Sequence, residues 1–165
     1  MYRILTFGTF DGLHDGHRAM LREAKNLATN YQLLATSYLI VAVAPNSVVL
    51  DLKGCMPRHT SAQRIAMLKA EHLADEVILG DAETSSWKVV KKYKPQIIAL
   101  GYDQQELKED LEAYLEKTYP DAETKEGACP EPAEGEWKSN PKRPIIKMLA
   151  AYKPERHHSR IMNKE

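Results

Sequence analysis

The residues Ile4-Leu5-Thr6-Phe7-Gly8-Thr9-Phe10-Asp11-Gly12-Leu13-His14-Asp15-Gly16-His17-Arg18 decide how the rest of the chain is read. The apolar run Ile4 to Phe7 reads as a buried strand. Met20, Leu21, Ala24 and Leu27 then recur at helical spacing, in a helix that ends near Asn30. A glycine-bearing turn between a strand and a helix points backbone N–H groups and the positive end of the helix dipole outward, which suits a phosphate. Gly8 would let the backbone come close to such a ligand without a Cβ in the way, and Gly16 would do the same between the two histidines. His14 and His17 are three residues apart, so a helix beginning near them carries both imidazoles on one side of its first turn. Beside phosphate they can donate hydrogen bonds as charge builds in a transition state. Each histidine alone also fits a polar residue at a helix start, or half of a metal site. The composite spacing is what sets this stretch apart.

Working outward, Tyr38 to Ala44 is apolar, rich in β-branched residues and bounded by Pro45-Asn46, which predicts a second parallel strand. Pro45 to Arg58 reads as a loop containing Lys53-Gly54, and Thr60 or Ser61 can cap the helix that carries Arg64, Met67 and Leu68. Further strands are expected at Glu76 to Gly80, Gln96 to Leu100 and Pro144 to Ala150. Helices are expected at Ser86 to Tyr93, at Gln105 to Thr118, and within Tyr152 to Lys164. Strands separated by helices of this length predict a Rossmann-like α/β fold, a doubly wound five-stranded parallel sheet with helices on both faces. Ligands of such sheets bind beyond the carboxyl ends of the strands, where Gly8 to His17, Lys53 to Arg58 and Gly101 to Gln104 all fall. Lys125 to Arg143 is aperiodic and proline-rich, and reads as a flexible surface insertion, with a lid over the site as the other reading.

The length, 165 residues, fits one domain over 1–165 with a core that needs no disulfides. Lys plus Arg and Asp plus Glu each number 23, so nothing global points to nucleic acid or an acidic membrane. The charge is uneven: Glu106 to Glu136 holds eleven acids against three bases, and Lys138 to Glu165 eight bases against two acids. The basic tail is therefore a candidate for meeting phosphates. Cys55 and Cys129 have neither disulfide-framework nor metal-ligand spacing. No signal pattern or membrane-length apolar run is present, so a soluble, cytoplasmic protein is expected.

Gly8 to His17 resembles the signature of the HxGH nucleotidyltransferases, and its Gly-Thr-Phe-Asp opening resembles the cytidylyltransferase-like branch. The resemblance covers roughly residues 2–120 and 144–162. It implies transfer of a nucleoside monophosphate from ATP or CTP to a phosphorylated acceptor with Mg²⁺, releasing pyrophosphate. It also implies that Gly8, Thr9, Phe10 and Gly16 cradle nucleotide phosphates, and that His14 and His17 contact phosphoryl oxygens. Asp11 would orient the turn or hold the cation indirectly, and no direct metal ligand is assigned. By the same likeness Lys53 would neutralise phosphate charge, with a solvated lysine as the other reading. Arg64 would bind phosphate or acceptor, with a structural salt bridge as its alternative. Gly101, Tyr102 and Asp103 would wall the nucleoside pocket.

The runs Glu76 to Asp81 and Ile97 to Gln104 look more like the archaeal-type FAD synthases, which join ATP and FMN, than the glycerol-3-phosphate cytidylyltransferases. Relatives usually open the last helix with Arg-Thr-x-Gly-Ile-Ser-Thr or paired serines. Here Glu155 to Ile161 keeps Ser159, with Arg156 and Arg160 beside it, as the candidate phosphate group. That departure keeps open a nucleotide-binding protein without catalysis. A metal protein built on the histidines would need His59, His157 or His158 nearby. Relatives are commonly homodimers.

Overall fold

The computed structural model describes residues 1–30, 36–120 and 143–151. Their elements, in chain order, are β1 (Tyr2–Gly8), α1 (Asp15–Asn30), β2 (Ser37–Val43), α2 (Asn46–Lys53), α3 (Ser61–Ala70), β3 (Glu76–Leu79), α4 (Lys88–Tyr93), β4 (Ile97–Leu100), α5 (Gln105–Thr118) and β5 (Ile145–Met148). The strands form one sheet of order β3-β2-β1-β4-β5, every neighbouring pair parallel. This is the five-stranded, doubly wound, Rossmann-like α/β sheet that the sequence predicts.

The strand sequences explain why both faces are covered. Side chains alternate across a strand, so a continuous apolar run supplies two buried faces. Ile4, Leu39, Val41, Val43, Ile97 and Ala99 pack with Leu21, Ala24 and Leu27 of α1 and Leu68 of α3. Their sequence neighbours Leu5, Ile40, Ala42, Ile98 and Leu100 pack with Val89 and Val90 of α4 and Leu111 and Leu115 of α5. From β1 the chain steps outward through β2 and β3, and then returns to β4 on the other side. The crevice beyond the carboxyl ends of β1 and β4 is thus the topological switch point.

Three boundaries depart from the sequence reading. Pro45 to Arg58 is not all loop, because α2 begins directly after Pro45 and closes at Gly54, whose φ of 70° permits the left-handed cap. Two helical turns are too short for a clear period, and adjacent Val48 and Val49 mimic strand sequence; their burial decides for helix. α4 starts at Lys88 rather than Ser86, since Trp87 sits at φ 50° with its ring buried. β5 is shorter than Pro144 to Ala150. The expected insertion at 125–143, apart from Arg143, and the expected terminal helix lie outside the described residues. No helix among the described residues is long and apolar enough to cross a membrane.

Candidate active site

His14 immediately precedes α1 and His17 lies in its first turn. Their rings stack with centroids 3.8 Å apart and planes 25° apart. The backbone N–H of His17 points at His14 Nδ1 over 3.4 Å, so the neutral His14 ring carries its proton on Nε2. Phe10, which is buried, places its ring edge against His17 at 5.2 Å. Burial first, then the neighbouring His14, Lys53 and Arg18 charges, push the His17 imidazole down to about 4, with the Gly12 backbone opposing. His17 is therefore neutral at physiological pH. Its Nδ1 is buried and makes no hydrogen bond within the described residues, which leaves a polar atom unsatisfied beside a helix N-terminus.

The turn before the histidines is held from below. Phe10 adopts φ 52°, and its ring fills the space a Cβ on Gly8 would need, 2.6 Å away. Gly8 is thus required by Phe10 packing, a reason the sequence did not show. Gly12, at φ 88°, has nothing within 4 Å of its Cβ position and leaves the turn open there. Gly16 is the second residue of α1.

Asp11 is engaged through both carboxylate oxygens by the segment before α3. Its Oδ2 accepts from Arg58 N–H at 2.7 Å. Its Oδ1 accepts from His59 N–H at 3.0 Å and meets His59 Nδ1 at 2.9 Å. Burial alone would raise this carboxyl; the hydrogen bonds from Arg58 and His59 outweigh it and hold the group below its usual value. Arg64 departs from its expected place on a phosphate, for it is fully buried and donates to protein oxygens. They are Thr9 O at 2.6 Å, Asn46 Oδ1 at 2.7 Å, His59 O at 3.1 Å and Ser61 Oγ at 3.3 Å. It is a positioning residue that ties the β1–α1 turn, α2 and α3 together through hydrogen bonds, with no salt bridge among the described residues.

Lys53 stands exposed in the last turn of α2, near enough for its charge to act on His17. Across the crevice, Gly101 to Gln104 follow β4. Gly101 is buried, and a Cβ there would press on Asp103 at 3.1 Å, whereas Tyr102 and Asp103 are exposed. Gln104 donates from Nε2 to Phe7 O at 3.1 Å and accepts from Gly101 N–H at 2.8 Å. The structure so brings the turn of residues 8–17, Lys53 and residues 101–104 to one rim. Ser159, Arg156 and Arg160 lie outside the described residues.

The supporting contacts of Asn46, His59, Ser61 and Gln104 are what sequence reasoning missed. For Asn46 and Gln104 a polar side chain a few residues past a strand end was the available signal. No group of three or more His, Cys, Asp or Glu able to hold a metal occurs among the described residues.

A family model described as cytidylyltransferase-like matches residues 5–132. An FAD synthase of Thermococcus sibiricus is 39% identical over 113 residues, covering 66% of this chain and 71% of that protein. An FAD synthase of Ferroglobus placidus is 40% identical over 118 residues, 71% of this chain and 70% of that one. Among solved structures, the lipopolysaccharide core biosynthesis protein from Thermoplasma volcanium superposes with a TM-score of 0.68 at 27% identity, over 92% of this chain and 98% of that chain.

Proposed function

Because the chain belongs to the cytidylyltransferase-like family and is an FAD synthase-like nucleotidyltransferase, we propose that it transfers AMP from ATP to FMN. The observation that carries this reading is the stacked histidine pair at the N-terminus of α1, beside the switch point, with His17 neutral and its Nδ1 unsatisfied. A phosphate oxygen of the acceptor attacks the α-phosphorus in line. The bond from that phosphorus to the bridging oxygen breaks, and pyrophosphate leaves. Such a transfer needs positioning and charge stabilisation more than covalent help from the protein.

His14 Nε2–H and the His17 ring supply hydrogen bonds where negative charge grows, and the helix N-terminus adds its dipole. Lys53 supplies the positive charge that a neutral His17 does not. Arg64 acts at one remove, by fixing Thr9 and Asn46. With both Asp11 oxygens engaged by the 58–59 segment, the described residues form no carboxylate cage for Mg²⁺. In this reading the ion enters with the triphosphate as part of the substrate.

Pyrophosphate release from ATP or CTP, each paired with FMN, glycerol 3-phosphate or phosphoethanolamine, tests the proposal. Release with ATP and FMN is expected. Release with CTP and a small phosphate would replace the substrates. Nucleotide binding without release in any pairing would leave a binding protein.

A further inference from the structure

Beyond the stacked pair, the rim carries a third imidazole. His59 precedes α3 and meets the turn that follows β1: its Nδ1 lies 2.9 Å from Asp11 Oδ1, three residues before His14. Its backbone is fixed independently of the ring: His59 N–H reaches Asp11 Oδ1, its carbonyl accepts from Arg64 Nε, and Thr60 forms a capping box with Gln63. The segment is anchored without the imidazole, yet the carboxylate orients the ring. Holding Nδ1 on Asp11 leaves Nε2 as the outward nitrogen, on a side chain that is 40% exposed. A carboxylate that grips one imidazole nitrogen and presents the other is the arrangement that fixes a histidine's tautomer and aim. His17 is buried and neutral and cannot add positive charge; His59 as the imidazolium donates from both nitrogens, Nδ1–H to Asp11 and Nε2–H to an anion.

We infer that His59 is a substrate-binding residue that meets the reactants as an imidazolium, with Nδ1–H on Asp11 and Nε2–H donated to a phosphoryl oxygen of one of the two. The inference rests on the nucleotidyltransferase reading and adds to it a residue and an aimed group. Two substitutions separate this from anchoring. In His59→Asn the amide nitrogen replaces Nδ1, keeping the bond to Asp11, and nothing stands at Nε2. In His59→Gln a donor returns near Nε2. The Asn variant is expected to keep its Tm within about 2 °C and to lose at least about tenfold in kcat/KM, with partial recovery in the Gln variant. The substrate whose KM rises identifies the phosphate contacted. Asn activity within twofold of wild type would overturn the inference.

The second measurement needs no variant. In the full chain labelled with ¹⁵N-histidine, the His59 Nε2 resonance is followed while MgATP, MgCTP, FMN and pyrophosphate are added separately. A shift with at least one is expected, and silence with all four overturns the contact even if the Asn variant fails to fold. Were no substrate pair turned over by wild type, the proposed reaction would fail, and this titration would still decide the role of His59.

Discussion

At the scale of single residues, His17 joins stability to chemistry. Its imidazole titrates near 4 in the folded protein against 6.5 for an unperturbed ring, so between those values the folded state binds fewer protons than the unfolded chain. Stability therefore falls as pH drops from 6.5 through 4, by about 3 kcal/mol in all, and the contribution is flat outside that window. His17→Ala should flatten this part of the curve of Tm against pH; a slope identical to wild type would show that His17 is not the titrating group. At pH 8 the same variant should remain folded and lose about two to three powers of ten in kcat, as removal of one transition-state donor does elsewhere. Turnover within a few-fold of wild type would remove His17 from the mechanism. The histidine spacing was legible in the sequence because it is local. The stacking, and the neutrality that follows from burial, depend on Phe10 folding back at a positive φ, which no spacing rule reports.

At the scale of elements, the question is what holds α2 and α3 against the β1–α1 turn. All five strands and the helices α1, α3, α4 and α5 could be read from apolar runs and periodicity. α2 could not, and neither could the clamp, whose partners lie far apart in sequence: Arg64 reaches Thr9 across 55 positions, and Asp11 reaches Arg58 across 47. An arginine near a helix start looks the same in sequence whether it meets a phosphate or a carbonyl. Burial separates the two. Arg64→Lys offers one ammonium where a planar fork met four oxygens, and leaves several of them unpaired in the interior. A loss of about 2–4 kcal/mol is expected, a fall in Tm of roughly 5–15 °C without any ligand. If melting of the free protein were unchanged while only the nucleotide KM rose, Arg64 would belong on a phosphate after all.

At the scale of the whole molecule, a parallel sheet that reverses strand order must open between β1 and β4 without coming apart. β1 runs on to Gly8, but its register with β4 ends at Thr6 opposite Ala99. Just beyond, the side-chain amide of Gln104 takes the place of a ladder rung, accepting from Gly101 N–H and donating to Phe7 O. The two halves are thereby held a side chain apart at the crevice where substrates would enter, and Gly101 keeps that space free of a Cβ. Gln104→Ala should leave both backbone groups unpaired. The expected cost is about 2 kcal/mol, a fall in Tm of about 4–8 °C, with the nucleotide KM rising more than kcat falls because the gap is no longer fixed in width. Gln104→Glu keeps an acceptor for Gly101 but sets a carboxylate against the Phe7 carbonyl, so at pH 8 it should be no better than alanine. Wild-type Tm and KM in both variants would mean that the strands alone set the crevice and that the amide merely occupies it.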